Sequence, residues 1–146
     1  MKIVKNIIAG LAGALSLNIL HESLKHLNAD MPRIDLVGEE ALNKVLGSFG
    51  AAISNENKLY KATLASDVIS NAIYYSLIGA GSAKFITSRA IVSGLSAGLG
   101  AVNLPDKMGL NDRPVTKSAK TKVLTVAYYL TGALVTAAVL KAMNKR

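Results

Sequence analysis

Three ionisable residues stand where the surrounding sequence is otherwise apolar: His21 and Glu22 at the end of one long apolar run, and Asp67 inside the next. An imidazole beside carboxylates is the combination that general acid–base chemistry or a proton relay uses. His21, Glu22 and Asp67 therefore form the candidate catalytic cluster. Asp67 lies about 9 Å along a helix from Lys61 at ~1.5 Å per residue. An ionisable group at that depth in lipid costs on the order of 2–3 kcal/mol unless it is paired or wet. Lys25, Arg33, Asn71 and Asn103 are the candidate substrate- or headgroup-binding residues, two cations and two amides near the same end of the apolar runs. Arg suits bidentate phosphate contacts. Structural roles compete with these: Asp67 can pair with His21 or Lys25 and only hold the helices together, and Arg33 with Asp35 can form a surface ion pair or a helix cap.

Other chemistries fail on spacing. The segment His21-Glu22-Ser23-Leu24-Lys25-His26 has its second His at i+5, about 140° from the first on a helix at ~100° per residue, whereas a zinc-protease helix needs i+4. Glu22, His26 and Asp67 could share a metal, but a zinc site wants three or four organised ligands, so no metal and no cofactor are assigned. Gly79-Ala80-Gly81-Ser82-Ala83-Lys84 lacks the spacing of a phosphate loop, and no Ser sits in a nucleophile elbow. The chain has no Cys, which excludes disulfides and thiolate chemistry. No motif names a reaction.

The elements that must carry these residues are apolar and long. Runs over roughly 3–20, 63–83, 85–102 and 123–142 are each long enough to cross a ~30 Å hydrocarbon core. They occupy most of the 146 residues, and mean hydropathy is positive. The expected fold is an all-α, single-domain polytopic membrane bundle of four transmembrane helices. Lys2 and Lys5 ahead of Ile7–Leu20, with Ala12-Gly13-Ala14 as a small-x-small site, formally fit a signal peptide. Cutting after Ala14 would leave an unusually short apolar core, so the segment reads as a retained first helix.

Between the first two runs, Leu42, Val45, Leu46, Phe49 and Ile53 recur at helical spacing. They predict an amphipathic helix over about 38–53, lying in the membrane interface or capping the bundle. The stretch from Asn103 to Lys122, with Pro105, Gly109 and Pro114, reads as an irregular polar loop. Ala9/Gly13, Gly10/Ala14, Ser93/Ala97 and Gly94/Gly98 are small-xxx-small pairs, which permit close helix approach without naming the neighbour. Each run also carries one polar stripe, such as Asn18, His21, Glu22 and Lys25 on the first, or Asp67, Ser70, Asn71 and Tyr74 on the second. Polar groups avoid lipid, so the stripes should converge inside, with the hydroxyls bonding neighbouring helices.

Net charge is +8, but without a basic stripe interleaved with aromatics nucleic acid is not an expected partner. Lys and Arg beside membrane runs set topology and touch lipid headgroups. With four spans, Lys2, Lys5, Lys84, Arg89, Lys141, Lys145 and Arg146 share a side free of Asp and Glu, so both termini are expected in the cytoplasm. The other side has more Lys and Arg in total, mixed with acids. In composition the chain resembles small multi-pass proteins of bacterial inner membranes. Three function classes fit: binding or processing of a lipid-like substrate in a polar pocket near one membrane face, an oligomeric transporter or channel, and an accessory subunit bound to a membrane partner.

Overall fold

In water the large apolar side chains of a helical bundle would point inward; here many of them point out. Ile3, Ile7, Leu11, Leu15 and Ile19 on the first helix are exposed, as are Ile69, Ile73 and Leu77 on another and Val92, Leu95 and Leu99 on a third. The interior combines Ala9, Ala14, Ala90, Ala133 and Ala137, with glycine and threonine between them, and the larger Leu17, Tyr75, Ile78, Ile86, Tyr128 and Leu140. Small residues at the close helix contacts together with many exposed large apolar side chains fit a hydrocarbon solvent, because lipid gives no penalty for exposed Leu while close packing still needs small contacts.

The structure, a computed structural model, describes residues 1–145; Arg146 lies outside the described residues. It is all-helical: α1 (Lys2–Leu24), α2 (Ile34–Ser48), α3 (Glu56–Ser76), α4 (Ile86–Lys107), α5 (Arg113–Thr116) and α6 (Ala119–Asn144), with single 3-10 turns at Leu77–Gly79 and Ala83–Phe85. Three helices, α1, α4 with its preceding turn, and α6, are long and apolar enough to cross a membrane. The expected run over 63–83 is divided. α3 starts seven residues earlier in a polar stretch capped by the Asn55 side chain and ends at Ser76, and Gly81 turns the chain at φ 89°. α3 is as long as the others but its polar residues keep it below the apolarity of a span.

Two further boundaries differ from expectation, both for the same reason. α2 covers Ile34–Ser48 rather than 38–53, because Gly50 at φ 74° closes a Schellman motif in which Ala51 N donates to Leu46 O (2.9 Å). Ile53 therefore leaves the helix, and the Asn43 side chain clamps its backbone N–H and C=O (2.9 and 3.2 Å). α4 runs through Pro105 and stops only at Gly109, φ 72°, where Leu110 N donates to Pro105 O (2.9 Å). In both cases the left-handed glycine, not the proline or the polar residues, sets the stop.

The long helices pack in the order α3–α1–α6–α4, with α2 lying across α3 and α5. Neighbours are antiparallel. Lys5 near the start of α1 donates to Met143 O at the end of α6 (2.7 Å), which places both described termini at one end. The small-residue pairs find different partners: a Cβ at Gly10 would meet Ser76 N of α3 at 2.7 Å, and at Gly94 Leu130 Cα of α6 at 2.8 Å. The hydroxyl stripes behave otherwise than expected. Within them, Ser70, Thr125 and Thr136 each bond the carbonyl four residues back on their own helix, which satisfies them without a neighbour, whereas Thr121 bonds Asp30 O in the segment ahead of α2.

Tyrosines tie the helices together instead. Tyr75, fully buried, donates to Tyr129 O (2.7 Å), and Tyr74 donates to Ser93 O (2.9 Å). Tyr75→Phe removes one cross-helix hydrogen bond while keeping the ring, so it should lower stability by about 1 kcal/mol. A thermal melt in detergent beside wild type reads that difference.

Candidate functional site

Glu22, Lys25, Arg33, Asp35 and Tyr60 form one charge network, and Asp35 is its hub. Asp35 is 5% exposed, and its carboxylate accepts a bidentate pair of bonds from one edge of the Arg33 guanidinium, Nε at 2.9 Å and Nη2 at 2.7 Å. Lys25 Nζ lies 3.4 Å from the same group and His21 Nε2 lies 3.4 Å from Oδ1. Glu22 takes the other contacts: Lys25 Nζ at 2.8 Å, His21 Nδ1 at 3.3 Å and the Tyr60 hydroxyl. Lys25 also sits over the Tyr60 ring, 4.5 Å from its centroid. Burial alone would raise the pKa of Asp35, but the contacts from His21 and Arg33 outweigh it and hold the carboxyl well below the usual range.

The fold brings these residues together by bending the chain between α1 and α2 back over the bundle end. Thr121 Oγ1 of α6 donates to Asp30 O (2.8 Å), Arg33 N donates to Pro114 O (3.0 Å), and Met31 and Pro32 are buried. Asn111 N donates to Glu40 (2.9 Å), and Lys44 is bonded to Met108 O. These tethers fix α2 as a roof rather than a free interfacial helix. Its Gly38 allows the closest approach, since a Cβ there would meet Thr63 Cγ2 of α3 at 2.8 Å.

Asp67 stands apart from the network. Among the described residues it has no hydrogen-bond or ion-pair partner, because His21 and Lys25 are engaged by Glu22 and Asp35. The expected pairing of Asp67 with His21 or Lys25 is therefore not formed. Asp67 lies instead between two spaces. On one side is a small cavity of about 10 Å³ shared with Asn18, His21, Asp35 and Thr63. Thr63 Oγ1 is buried there without a hydrogen-bond partner in the protein, and His21 Nε2 has only its 3.4 Å ion-pair contact with Asp35, not a hydrogen bond. On the other side is an open groove of about 500 Å³ between α3 and α4, roofed by α2 and floored by Tyr129 of α6.

That groove is apolar along most of its walls, with Val37, Ala97, Ala101 and Leu104 among them, and polar at Asp67, Ser70, Asn71 and Ser96. Of the expected site residues, then, His21, Glu22 and Lys25 meet in the network, Arg33 joins it through Asp35, and Asp67 and Asn71 line the groove. Lys25 and Arg33 do not line it. Asn103 is separate: it is exposed on α4, bonded to Leu99 O (2.8 Å), beside an apolar crevice between α4 and α6. Asp35, Tyr60 and Thr63 were not singled out as site residues by the sequence. Asp35 entered the sequence reading only beside Arg33, as its partner in headgroup recognition or in a surface ion pair or helix cap; the ion pair is formed, and it is buried. Among the described residues no group of three or more His, Asp or Glu side chains is placed to hold a metal ion. No family model, curated protein or solved structure matches this chain.

Proposed function

We propose that this is a four-pass membrane protein that binds an amphiphilic, lipid-like molecule in the groove between α3 and α4. The observation that carries this reading is the groove itself, apolar along its length, open to the side, and supplied with a carboxylate and an amide at one level. An amphiphile entering from the bilayer would keep its chain against Val37, Ala101 and Leu104 and bring its polar end to Asp67 and Asn71. α3 would act as the fourth crossing. Its exposed Ile69 and Ile73, continued by Leu77 on the following turn, would face lipid, while Asp67, Ser70, Asn71 and Tyr74 line the groove, since lipid-exposed polar groups would be costly. Phe49, 83% exposed at the end of α2, and Val45 are positioned to anchor the roof in the membrane interface.

The end bearing Lys2, Lys5, Lys84 and Lys141, free of acids, would lie in the cytoplasm, which puts the groove's roofed end on the opposite side. Assignment to a bacterial inner membrane rests on composition. Neither the network nor the groove specifies a reaction. The network of Glu22, Lys25, Arg33 and Asp35 is internally neutral and mutually satisfied, which supports a positioning role for it, so binding is the better-supported activity.

Gly100→Phe tests the reading. Gly100 lines the groove, and a Cβ there would meet only Leu104 Cδ1 at 3.5 Å, an ordinary contact. The variant should fold and melt like wild type while its ring occupies the groove. Native mass spectrometry from mild detergent is expected to show an amphiphile adduct on wild type that Gly100→Phe lacks. If both forms carry no adduct and a second protein co-purifies in fixed ratio, the accessory-subunit reading replaces this one.

A further inference from the structure

We infer that the groove selects a lipophilic cation, with Asp67 as its counter-charge. This rests on the groove being a binding site and adds the charge of its ligand. Among the residues that line the groove Asp67 is the only charged one, and no Lys, Arg or His is present to meet an anionic headgroup. The cations nearest in sequence logic are already engaged: Arg33 and Lys25 on Asp35, and Lys25 again on Glu22. On the roof, Lys44 is held by the Met108 carbonyl, and Glu39 adds a further acid to α2. A phosphate or carboxylate headgroup would therefore bring a second negative charge beside an uncompensated carboxylate. An ammonium, or a lipophilic cation with delocalised charge, would neutralise it.

The rest of the site favours the same sign. The network behind Asp67 sets Lys25 and Arg33 against Glu22 and Asp35, so neither of these basic side chains is left to pair with Asp67. The small cavity adjoining it, about 10 Å³ and of the size of one water molecule, is lined by the further carboxylates of Glu22 and Asp35. His21 is the one adjoining base, and both its ring nitrogens already face carboxylates, Glu22 at 3.3 Å and Asp35 at 3.4 Å. Tyr74 and Tyr129 border the groove, and their ring faces attract cations rather than anions. A ligand cation supplies the partner that the fold withholds from Asp67.

Three probes of similar shape separate charge from hydrophobicity: tetraphenylphosphonium, tetraphenylborate and neutral triphenylphosphine oxide, each measured alone. Equilibrium dialysis against the full-length protein in uncharged detergent micelles, with empty micelles as the blank, gives the saturable fraction. The cation is expected to bind at least tenfold more tightly than the anion or the neutral compound. Asp67→Asn, which keeps the side-chain shape, should lose at least tenfold for the cation and leave the neutral compound unchanged, and Gly100→Phe should lose all saturable binding. If the three probes bind wild type equally and Gly100→Phe abolishes all three, the groove stands as an amphiphile site and the cation assignment falls. If none binds saturably, the groove reading falls with it. The comparison among probes is made on the unsubstituted protein, so a poorly folding Asp67→Asn does not remove the test.

Discussion

Asp35→Asn should lower the unfolding free energy by about 3–5 kcal/mol, the cost of breaking a buried ion pair from one side. The substitution keeps the shape of the side chain but leaves Arg33 with a neutral partner and Lys25 with Glu22 alone, in a site where the carboxylate is 5% exposed. The effect carries a pH signature. The folded pKa of Asp35 is depressed, so the group is charged in the folded state at pH values where the unfolded chain binds a proton. Its contribution is fully present above the unfolded value of ~3.9 and is lost as pH falls below it. Wild-type melting temperature in detergent should therefore begin to drop as pH falls below about 4 and keep falling on further acidification, while Asp35→Asn melts lower at neutral pH and loses less on acidification. Parallel acid losses in the two forms would remove Asp35 from the hub position.

Gly98→Leu should be nearly as damaging, by about 3 kcal/mol, at the upper end of what overpacking a tight contact costs. A Cβ at Gly98 would approach Val126 Cα of α6 to 2.6 Å. The obstacle is backbone, which cannot rotate aside, so α4 and α6 must separate. The contrast with Gly100→Phe is the informative part: two positions apart on one helix, the first faces α6 and the second faces the groove. A melt that ranks Gly98→Leu far below wild type and Gly100→Phe close to it supports that orientation of α4. Equal losses would place Gly100 in a packed interface and close the groove.

The reach of the sequence can be traced residue by residue. The apolar lengths of α1, α4 and α6 were legible because exclusion from water acts on composition along a single segment. The concentration of His21, Glu22, Lys25 and Asp67 toward one end was legible for the same reason. The stops of α2 and α4 were misplaced because Pro105 and the stripe ending at Ile53 are weak signals beside the left-handed Gly50 and Gly109. Glycines at helix ends and in loops look alike until the backbone is seen. Asn103 was grouped with the site by its depth along α4, but depth does not fix the face, and its face turns to the α4–α6 crevice.

By itself the sequence determined the solvent, the number of long helices and the level along them at which ionisable groups sit. Which carboxylate obtains which cation was decided only by tertiary structure. Charges pair by distance in three dimensions, and the fold-back of α2 brought Asp35 to within 3.4 Å of both His21 and Lys25. That contact takes the partners that local sequence would offer to Asp67, and leaves Asp67 facing the groove.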